Sequence, residues 1–206
     1  THILNSGCRA ITTGNSYQQP LLKTLFENEQ YDFAVTEMSS YLLELFDEDV
    51  PVPDIAVVTN LSSDHQNRYL SMEDYASAKA NIFRYQGSNR SLILNADDEW
   101  SDYFLSQVQK SNVLYFSLSP LAKVKRGVFA KGDEIYFDGE AVLNIDGFVE
   151  KWGKHNLYNL LSSSLTAHLA GIEWSAIQNS INSLPQISFR QEKIFDDGNL
   201  QIINDT

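Results

Sequence analysis

The chain has 206 residues, 43% of them hydrophobic and 12% aromatic, which predicts a folded core and argues against disorder. Acidic residues outnumber basic ones 27 to 15, for a formal net charge of −12, and such a surface repels a nucleic acid backbone. Cys8 is the single cysteine, which favours a reducing, cytoplasmic location. No apolar run approaches the roughly 20 residues of a membrane span, and no signal peptide opens the chain.

The first half of the sequence alternates strand and helix signals. Apolar runs predict strands at 31–36, 54–59, 91–95 and 113–116, and helical periodicity predicts helices at 39–46 and 71–83. Ser39 or Ser40 is expected to cap the first helix and Ser71 the second. A turn is expected at 14–16, before a helix that begins near Gln18. This order predicts an α/β fold with a mostly parallel sheet flanked by helices.

The second half of the sequence predicts a small antiparallel patch followed by helices. Three short runs at 127–130, 134–137 and 141–144 are separated by Gly-containing turns of the hairpin type. Leucines at helical spacing predict a helix over 156–170, with Gly171 just past its end, and a shorter helix follows before Pro185. The turn-like composition near 184–188 predicts a domain boundary. It divides the chain into one domain, residues 1–186, and the beginning of another domain at 187–206.

Polar residues with metal-ligating side chains follow the first two predicted strands. Glu37 ends the first strand, which the apolar run predicts to be buried, and His65 lies beside Asp64 after the second. Carboxyl ends of strands form the ligand crevices of α/β sheets, and these side chains suit Mg²⁺ or a related ion. Alternatively, Glu37 is a solvated carboxylate near a helix start, and His65 is a structural histidine in a loop.

Lys79 lies beside the apolar stripe of its predicted helix, four residues after Tyr75. The simpler interpretation is that its ammonium group extends past the apolar surface into water. The alternative is chemical, because partial burial favours the neutral form of an amine. A neutral lysine reacts with carbon dioxide to give an anionic carbamate that can help to bind a metal.

Two asparagines, Asn156 and Asn159, are three residues apart at the start of the predicted long helix, and hence on one face. Paired amides can read the edge of a nucleobase, although one of them could simply cap the helix. Arg190 and Asp205 flank the last segment. They could hold a phosphate and a ribose, or they could be surface charges.

The motifs that the sequence lacks narrow the class of enzyme. It contains no G-x-x-x-x-G-K-[ST] loop, no G-x-S-x-G elbow, no C-x-x-C pair and no H-E-x-x-H. The absences argue against a serine hydrolase, a dithiol oxidoreductase and a zinc protease. Compared with these three classes, an enzyme with metal-assisted, nucleotide-dependent chemistry is favoured.

Five motifs occur in one order along the chain and together resemble the Mur ligases of peptidoglycan synthesis. They are Thr36-Glu37-Met38-Ser39-Ser40-Tyr41, Asn60-x-x-x-Asp64-His65, Tyr75-x-x-x-Lys79, Asn95-Ala96-Asp97-Asp98 and Gly153-x-His155-Asn156-x-x-Asn159. The resemblance covers nearly the whole chain and implies the central, P-loop-type ATP-binding domain of that family. The Glu-x-Ser-Ser-Tyr version is most similar to the branch that adds D-glutamate.

The resemblance implies an ATP- and Mg²⁺-dependent ligase that phosphorylates a carboxylate of a UDP-sugar peptide and joins it to an amino acid, with D-glutamate expected. By the same resemblance, the catalytic and metal-binding residues would be Glu37, His65 and carbamylated Lys79, with His65 next to the substrate carboxylate. The nucleotide would contact Asn156 and Asn159 through adenine, and Arg190 and Asp205 through phosphate and ribose. Asn15 and Ser39 would contact the substrate.

The sequence also departs from the family pattern. The family's Gly-Asn-x-Gly-x-Pro reads Gly14-Asn15-Ser16-Tyr17-Gln18-Gln19-Pro20, its Asp-His-Leu-Asp reads Asp64-His65-Gln66-Asn67, and its His-Arg pair reads Phe189-Arg190. The family's P-loop is expected shortly before residue 1, so the chain is predicted to be a fragment that is inactive alone. Two alternatives stay open: another Mur-type or folylpolyglutamate-like amide ligase, and a non-catalytic module with the same fold.

Overall fold

The computed structural model describes residues 2–15, 20, 30–63, 68–123, 125–184, 192–198 and 200–204. The strands are β1 (Ala10–Gly14), β2 (Phe33–Glu37), β3 (Ile55–Val58), β4 (Ser91–Asn95), β5 (Asn112–Ser117), β6 (Gly127–Lys131), β7 (Glu134–Phe137), β8 (Glu140–Asn144), β9 (Glu192–Asp196) and β10 (Gln201–Asn204). The helices are α1 (His2–Asn5), α2 (Ser40–Leu43), α3 (Met72–Arg84), α4 (Ser101–Ser106), α5 (Phe148–Trp152), α6 (Lys154–Leu169) and α7 (Trp174–Ile181).

The largest sheet has the strand order β3-β4-β5-β6-β7-β8. Strands β3 to β6 pair in parallel, whereas β6, β7 and β8 pair antiparallel. This arrangement confirms the predicted α/β class and the predicted antiparallel patch. The carboxyl ends of β3, β4 and β5 therefore meet at one edge, where α/β proteins place their ligands.

Helices cover both faces of this sheet, and each face has its own hydrophobic core. One core joins the sheet to α6 and α7 and is centred on Phe116, Leu161 and Ile177. The other joins it to α3 and α4 through Phe83 and Phe104, whose rings meet edge to face with centroids 6.3 Å apart. Both flanking layers are thus held by apolar burial, the main favourable contribution to folding.

A second, two-stranded sheet pairs β1 with β2 in parallel, from Ala10 opposite Phe33 to Gly14 opposite Glu37. A Cβ on Gly14 would lie 2.0 Å from the Glu37 carbonyl oxygen, and Gly14 has a φ of 119°. Only glycine allows the two strands to approach so closely there. The sequence had indicated only a turn at this point, because Ala10–Gly14 has a weak apolar pattern.

Two expectations for the region around β2 were wrong. The strand predicted to be buried is largely exposed, and Val35 retains 49% of its accessible surface, because β2 pairs only with β1 among the described residues. The helix predicted over 39–46 is the single turn Ser40–Leu43. The carboxylate of Asp47 accepts a hydrogen bond from the amide of Asp49 (3.0 Å), a local bond that competes with helix continuation.

The helices predicted over 71–83, over 156–170 and before Pro185 are confirmed, whereas the helix expected to begin near Gln18 lies outside the described residues. Ser71 caps α3 by accepting a bond from the amide of Asp74 (3.1 Å). Helix α6 ends in a Schellman motif: Gly171, with φ of 88°, donates to the His168 carbonyl (2.9 Å), and Ile172 donates to that of Ala167 (3.0 Å). In the described part of the chain, no helix is both long and apolar enough to cross a membrane.

Candidate functional site

The first three predicted site residues lie at the neighbouring carboxyl ends of β1 and β2. The side chain of Glu37 is exposed, and its carbonyl accepts a hydrogen bond from the amide of Asn15 (2.9 Å). Two residues later, the Ser39 hydroxyl caps α2 by accepting from the amide of Leu42 (3.4 Å). Asn15, Glu37 and Ser39 therefore lie around one strand end, with a solvent-facing carboxylate between two turns.

Lys79 lies on α3, which packs against α2. The Asn81 side chain donates to the carbonyl of Leu43 (2.9 Å), so the two helices are joined near their facing turns. Lys79 is half-buried, and its Nζ lies 5.2 Å from the centroid of the Tyr75 ring. A cation–π contact of this kind stabilises the protonated amine. His65, the third predicted metal ligand, lies outside the described residues.

A cluster of charged and aromatic side chains joins α2 to the segment that precedes α3. Arg68 forms a two-pronged ion pair with Glu44, at 3.2 Å from Nε and 2.5 Å from Nη2, and its guanidinium lies 4.7 Å from the Tyr41 ring centroid. The hydrogen bond from Arg68 lowers the pKa of Glu44. The next residue, Tyr69, stacks on Tyr75 with ring centroids 5.0 Å apart. These contacts anchor the chain just after position 65.

A second group of polar side chains lies at the carboxyl edge of β3, β4 and β5. The Asn95 amide donates to the Thr59 carbonyl (3.0 Å), and the Asp98 carboxylate accepts from the amide of Leu61 (3.0 Å). Asp97 accepts from the Ser117 hydroxyl (2.8 Å) and from the amide of Leu118 (2.7 Å). The Asn95-Ala96-Asp97-Asp98 motif therefore ties the end of β4 to the ends of both neighbouring strands.

The start of α6 faces this edge. Asn156 and Asn159 are adjacent on one side of the helix, since Nδ2 of Asn159 donates to Oδ1 of Asn156 (3.2 Å). The Tyr158 hydroxyl, between them in sequence, donates to Asp97 (3.1 Å). Burial raises the pKa of Tyr158, and the charge of Asp97 raises it further. The two asparagines thus sit on a helix that is bonded to the strand ends.

The sequence pattern did not indicate that Tyr158 and Ser117 belong to this edge. It included Asp97 in a motif but predicted no role for it. A tyrosine inside a leucine-rich helix carries no signal of its own, although Asn95-Ala96-Asp97-Asp98 could have indicated a strand-end network. Arg190 and Asp205 lie outside the described residues. In the part of the chain that the structure describes, no cluster of three or more His, Cys, Asp or Glu side chains could hold a metal ion.

The fold and these two polar edges define an α/β domain whose candidate ligand site follows the carboxyl ends of its parallel strands. Residues 2–167 match the family model described as the Mur ligase middle domain. The chain belongs to the Mur ligase family.

Curated relatives carry one activity in their names. The chain is 33% identical over 192 residues, 91% of its length, to the UDP-N-acetylmuramoylalanine–D-glutamate ligase of Clostridioides difficile. It is 29% identical over 202 residues, 98% of its length, to the ligase of that name from Caldanaerobacter subterraneus subsp. tengcongensis. The matches cover 41% and 43% of those relatives, so the chain spans less than half of their length.

Solved structures share the fold. A UDP-N-acetylmuramoyl-L-alanyl-D-glutamate–2,6-diaminopimelate ligase matches 95% of this chain and 45% of its own, with a TM-score of 0.75 and 21% identity. The pseudomurein peptide ligase type C of Methanothermus fervidus matches 99% of this chain and 49% of its own, with a TM-score of 0.70 and 17% identity. The MurF ligase of Thermotoga maritima, solved with ADP, matches 100% and 48%, with a TM-score of 0.68 and 18% identity.

Proposed function

We propose that this chain is the central domain of an ATP-dependent ligase that adds D-glutamate to UDP-N-acetylmuramoyl-L-alanine. The observation that carries the proposal is the match of 91–98% of the chain to relatives named for that reaction. The Glu-x-Ser-Ser-Tyr sequence at 37–41 supports the same branch. The similar solved structures support the fold only, because their identity to this chain is 21% or less.

The reaction requires two substitutions in sequence. A carboxylate oxygen attacks the terminal phosphorus of ATP and ADP leaves; the amine of the amino acid then attacks the acyl carbon, loses a proton, and phosphate leaves. The first step brings two anions together, and their repulsion is its main electrostatic obstacle. Glu37 is suited to hold Mg²⁺, because its carboxylate is exposed at a strand end, and bound Mg²⁺ would supply neutralisation of this charge.

The nucleotide is assigned to the α6 side of the site. Asn156 and Asn159 present two amides on one helix face, and an asparagine amide can pair with the N6 and N7 atoms of adenine. The acceptor substrate is assigned to the β2 side, where Asn15 and Ser39 flank Glu37. His65, Arg190 and Asp205 keep the roles that the family resemblance implies: His65 at the second metal and the acceptor carboxylate, Arg190 and Asp205 at phosphate and ribose.

The test is amino-acid-dependent phosphate release by a full-length protein that contains this chain. With ATP, Mg²⁺ and UDP-N-acetylmuramoyl-L-alanine present, we expect release to depend on D-glutamate and not on L-glutamate. Phosphate release that is the same with and without D-glutamate would contradict the proposal. A matched assay that omits the UDP-sugar substrate controls for hydrolysis of ATP alone.

A second candidate is a Mur-type ligase with another amino acid, because the family model that residues 2–167 match is described for Mur ligases in general and not for one amino acid. The two candidates differ in the side chain that the ligase must recognise. A panel that contains D-glutamate, meso-diaminopimelate, lysine and L-alanine, each with its own acceptor, separates them by the pair that supports turnover. Activity with folate acceptors instead would indicate a folylpolyglutamate-like enzyme.

Carbamylation of Lys79 is part of the proposal. Its Nζ lies 5.2 Å from the centroid of the Tyr75 ring, and a carbamate formed on this nitrogen would be stabilised by a bound cation. Removal of dissolved carbon dioxide is expected to lower turnover, and added bicarbonate is expected to restore it. A Lys79→Arg variant, which cannot form the carbamate, is expected to be inactive and insensitive to bicarbonate. Turnover that is indifferent to carbon dioxide in the unaltered enzyme would contradict this role.

A further inference from the structure

The start of α6 is held to the sheet by something other than a helix cap. Gly153 occupies the N-cap position with φ of 79°, and among the described residues no side chain bonds to the first amides of the helix as a cap. The Asn156 amide group instead turns back to the Trp152 carbonyl (2.7 Å). An uncapped helix start frays easily, so its orientation depends on contacts further along.

Tyr158 makes two such contacts, in addition to those of the buried leucines of the helix. Its hydroxyl donates to a carboxylate oxygen of Asp97 (3.1 Å), and its ring meets the ring of Phe116 edge to face, with centroids 6.3 Å apart and planes at 73°. Phe116 belongs to β5 and is fully buried. The ring therefore packs α6 against β5, and the hydroxyl adds a directional hydrogen bond to that contact.

Asp97 is itself held rigidly before it meets Tyr158. One carboxylate oxygen accepts from the Ser117 hydroxyl (2.8 Å), and the other accepts from the amide of Leu118 (2.7 Å). The Asp97 amide donates to the Asn95 side chain (3.0 Å). Because bonds from the ends of β4 and β5 converge on it, the carboxylate presents a fixed acceptor to α6, and bonds to ionised groups are among the stronger ones.

The hydrogen bond of Tyr158 also restrains the rotation of α6 about its axis, together with the buried leucines of the helix. Successive residues of a helix are rotated by about 100°, so one anchored side chain sets the direction of its neighbours. We propose that Asp97, through Tyr158, is a positioning residue that aims Asn156 and Asn159 at the nucleotide base. This inference rests on the proposed function, because it takes the two asparagines as the adenine contacts.

The test uses a full-length protein that contains this chain and measures KM for ATP, KM for the amino acid, and kcat. Tyr158→Phe keeps the ring on Phe116 and removes the hydroxyl, and Asp97→Asn keeps the shape and removes the charge. Each is expected to raise KM for ATP by about tenfold, the effect of one lost hydrogen bond to a charged group. The KM for the amino acid and kcat are expected to change by less than about twofold. The double variant is expected to match the single ones, because the two groups act as one unit.

Tyr136→Phe is the matched control, because that hydroxyl also donates to a carboxylate, Glu134 (2.7 Å), but lies on β7. It is expected to leave KM for ATP unchanged. An unaltered KM for ATP in Tyr158→Phe would overturn the inference, and so would a joint fall of kcat, both affinities and melting temperature. These outcomes are separate from failure of the proposed function, in which the unaltered protein shows no D-glutamate-dependent turnover. Binding of a fluorescent ATP analogue then measures the same variants, and equal affinities would overturn the inference.

Discussion

The carboxyl ends of β4 and β2 both carry candidate site residues, but they are built differently. From Leu92 to Asn95, strand β4 is at most 7% exposed, and it pairs with a strand on each side. In β2, by contrast, Ala34, Val35 and Glu37 are exposed. The polar side chains after β4 are used in bonds between strand ends, whereas Glu37 faces solvent.

This difference separates two tasks within one domain. The β4 end is a framework, because its side chains satisfy the strand ends and hold α6. At the β2 end the Glu37 side chain is exposed, and an exposed carboxylate at a strand end is available to a ligand. Substitutions at the β2 end are therefore expected to change chemistry with little effect on stability. Substitutions of the buried residues of β4 are expected to lower stability with little direct effect on chemistry.

The largest expected effect is on activity, from Glu37→Gln in a full-length protein that contains this chain. Removing a carboxylate that holds Mg²⁺ is expected to lower kcat by about a hundredfold or more. The free energy of unfolding is expected to change by less than about 0.5 kcal/mol, because the side chain is exposed. Steady-state kinetics and urea unfolding measure the two quantities.

Glu140→Gln serves as the control for Glu37→Gln, since Glu140 is an exposed acid on β8. It is expected to change neither kcat nor stability. Normal turnover in Glu37→Gln would remove the assignment of this carboxylate to a metal. A loss of several kcal/mol in unfolding free energy would instead make Glu37 part of the framework, and the contrast between the two strand ends would fail.

The next effect is on stability and compares apolar residues of the two strands. Leu94 is 1% exposed in β4, so Leu94→Ala is expected to lower the free energy of unfolding by about 2–5 kcal/mol. Val58, 7% exposed at the end of β3, and Val35, 49% exposed in β2, give a matched pair of valines. Val58→Ala is expected to cost about 2 kcal/mol and Val35→Ala less than about 0.5 kcal/mol, measured by urea unfolding. Equal losses for the valines would show that β2 is as well packed as the main sheet.

Sequence patterns predicted most of the central fold because those elements carry strong local signals. The run Ser91–Asn95 was predicted at its observed bounds, and Ser71 was identified as the cap of α3. The burial of β2 could not be predicted in this way. An apolar run such as Phe33–Val35 has the same appearance whether a strand has one neighbour or two, and only the sheet pairing decides its exposure.

The candidate site was predictable where a single residue carries a recognisable group at a strand or helix end. Glu37, Ser39 and the pair Asn156 and Asn159 lie at such ends, and their binding roles stay predictions. The contact between Tyr158 and Asp97 joins residues 61 positions apart. It depends on how α6 packs on β5, which periodicity does not encode, so no local pattern indicates it.

The buried histidine His2 extends the comparison of buried and exposed groups to pH. His2 is 6% exposed and bonds to the Ser180 hydroxyl and, at 3.2 Å, to that of Ser163. Burial lowers its pKa to about 4, below the value of about 6.5 for an unfolded chain. Between these values the unfolded state binds more protons, so stability falls as the pH falls from 6.5 towards 4.

The measurement is the free energy of unfolding at pH 7 and pH 5, in the unaltered chain and in His2→Gln. The unaltered chain is expected to lose about 2 kcal/mol more than His2→Gln over this interval. Parallel pH dependence in the unaltered chain and His2→Gln would mean that His2 is solvated and does not join α1 to α6 and α7.

The smallest effect is expected at the far end of α6, where backbone conformation alone is at stake. Gly171 has φ of 88°, and a Cβ there would have no atom within 4 Å among the described residues. Gly171→Ala is therefore expected to cost about 1 kcal/mol in unfolding free energy from the left-handed conformation, without a steric clash. Asparagine tolerates that conformation better than alanine does, so Gly171→Asn is expected to cost less. Equal losses in the two variants would show that the Schellman ending does not depend on the positive φ, and the end of α6 would then be held by the burial of Ile172.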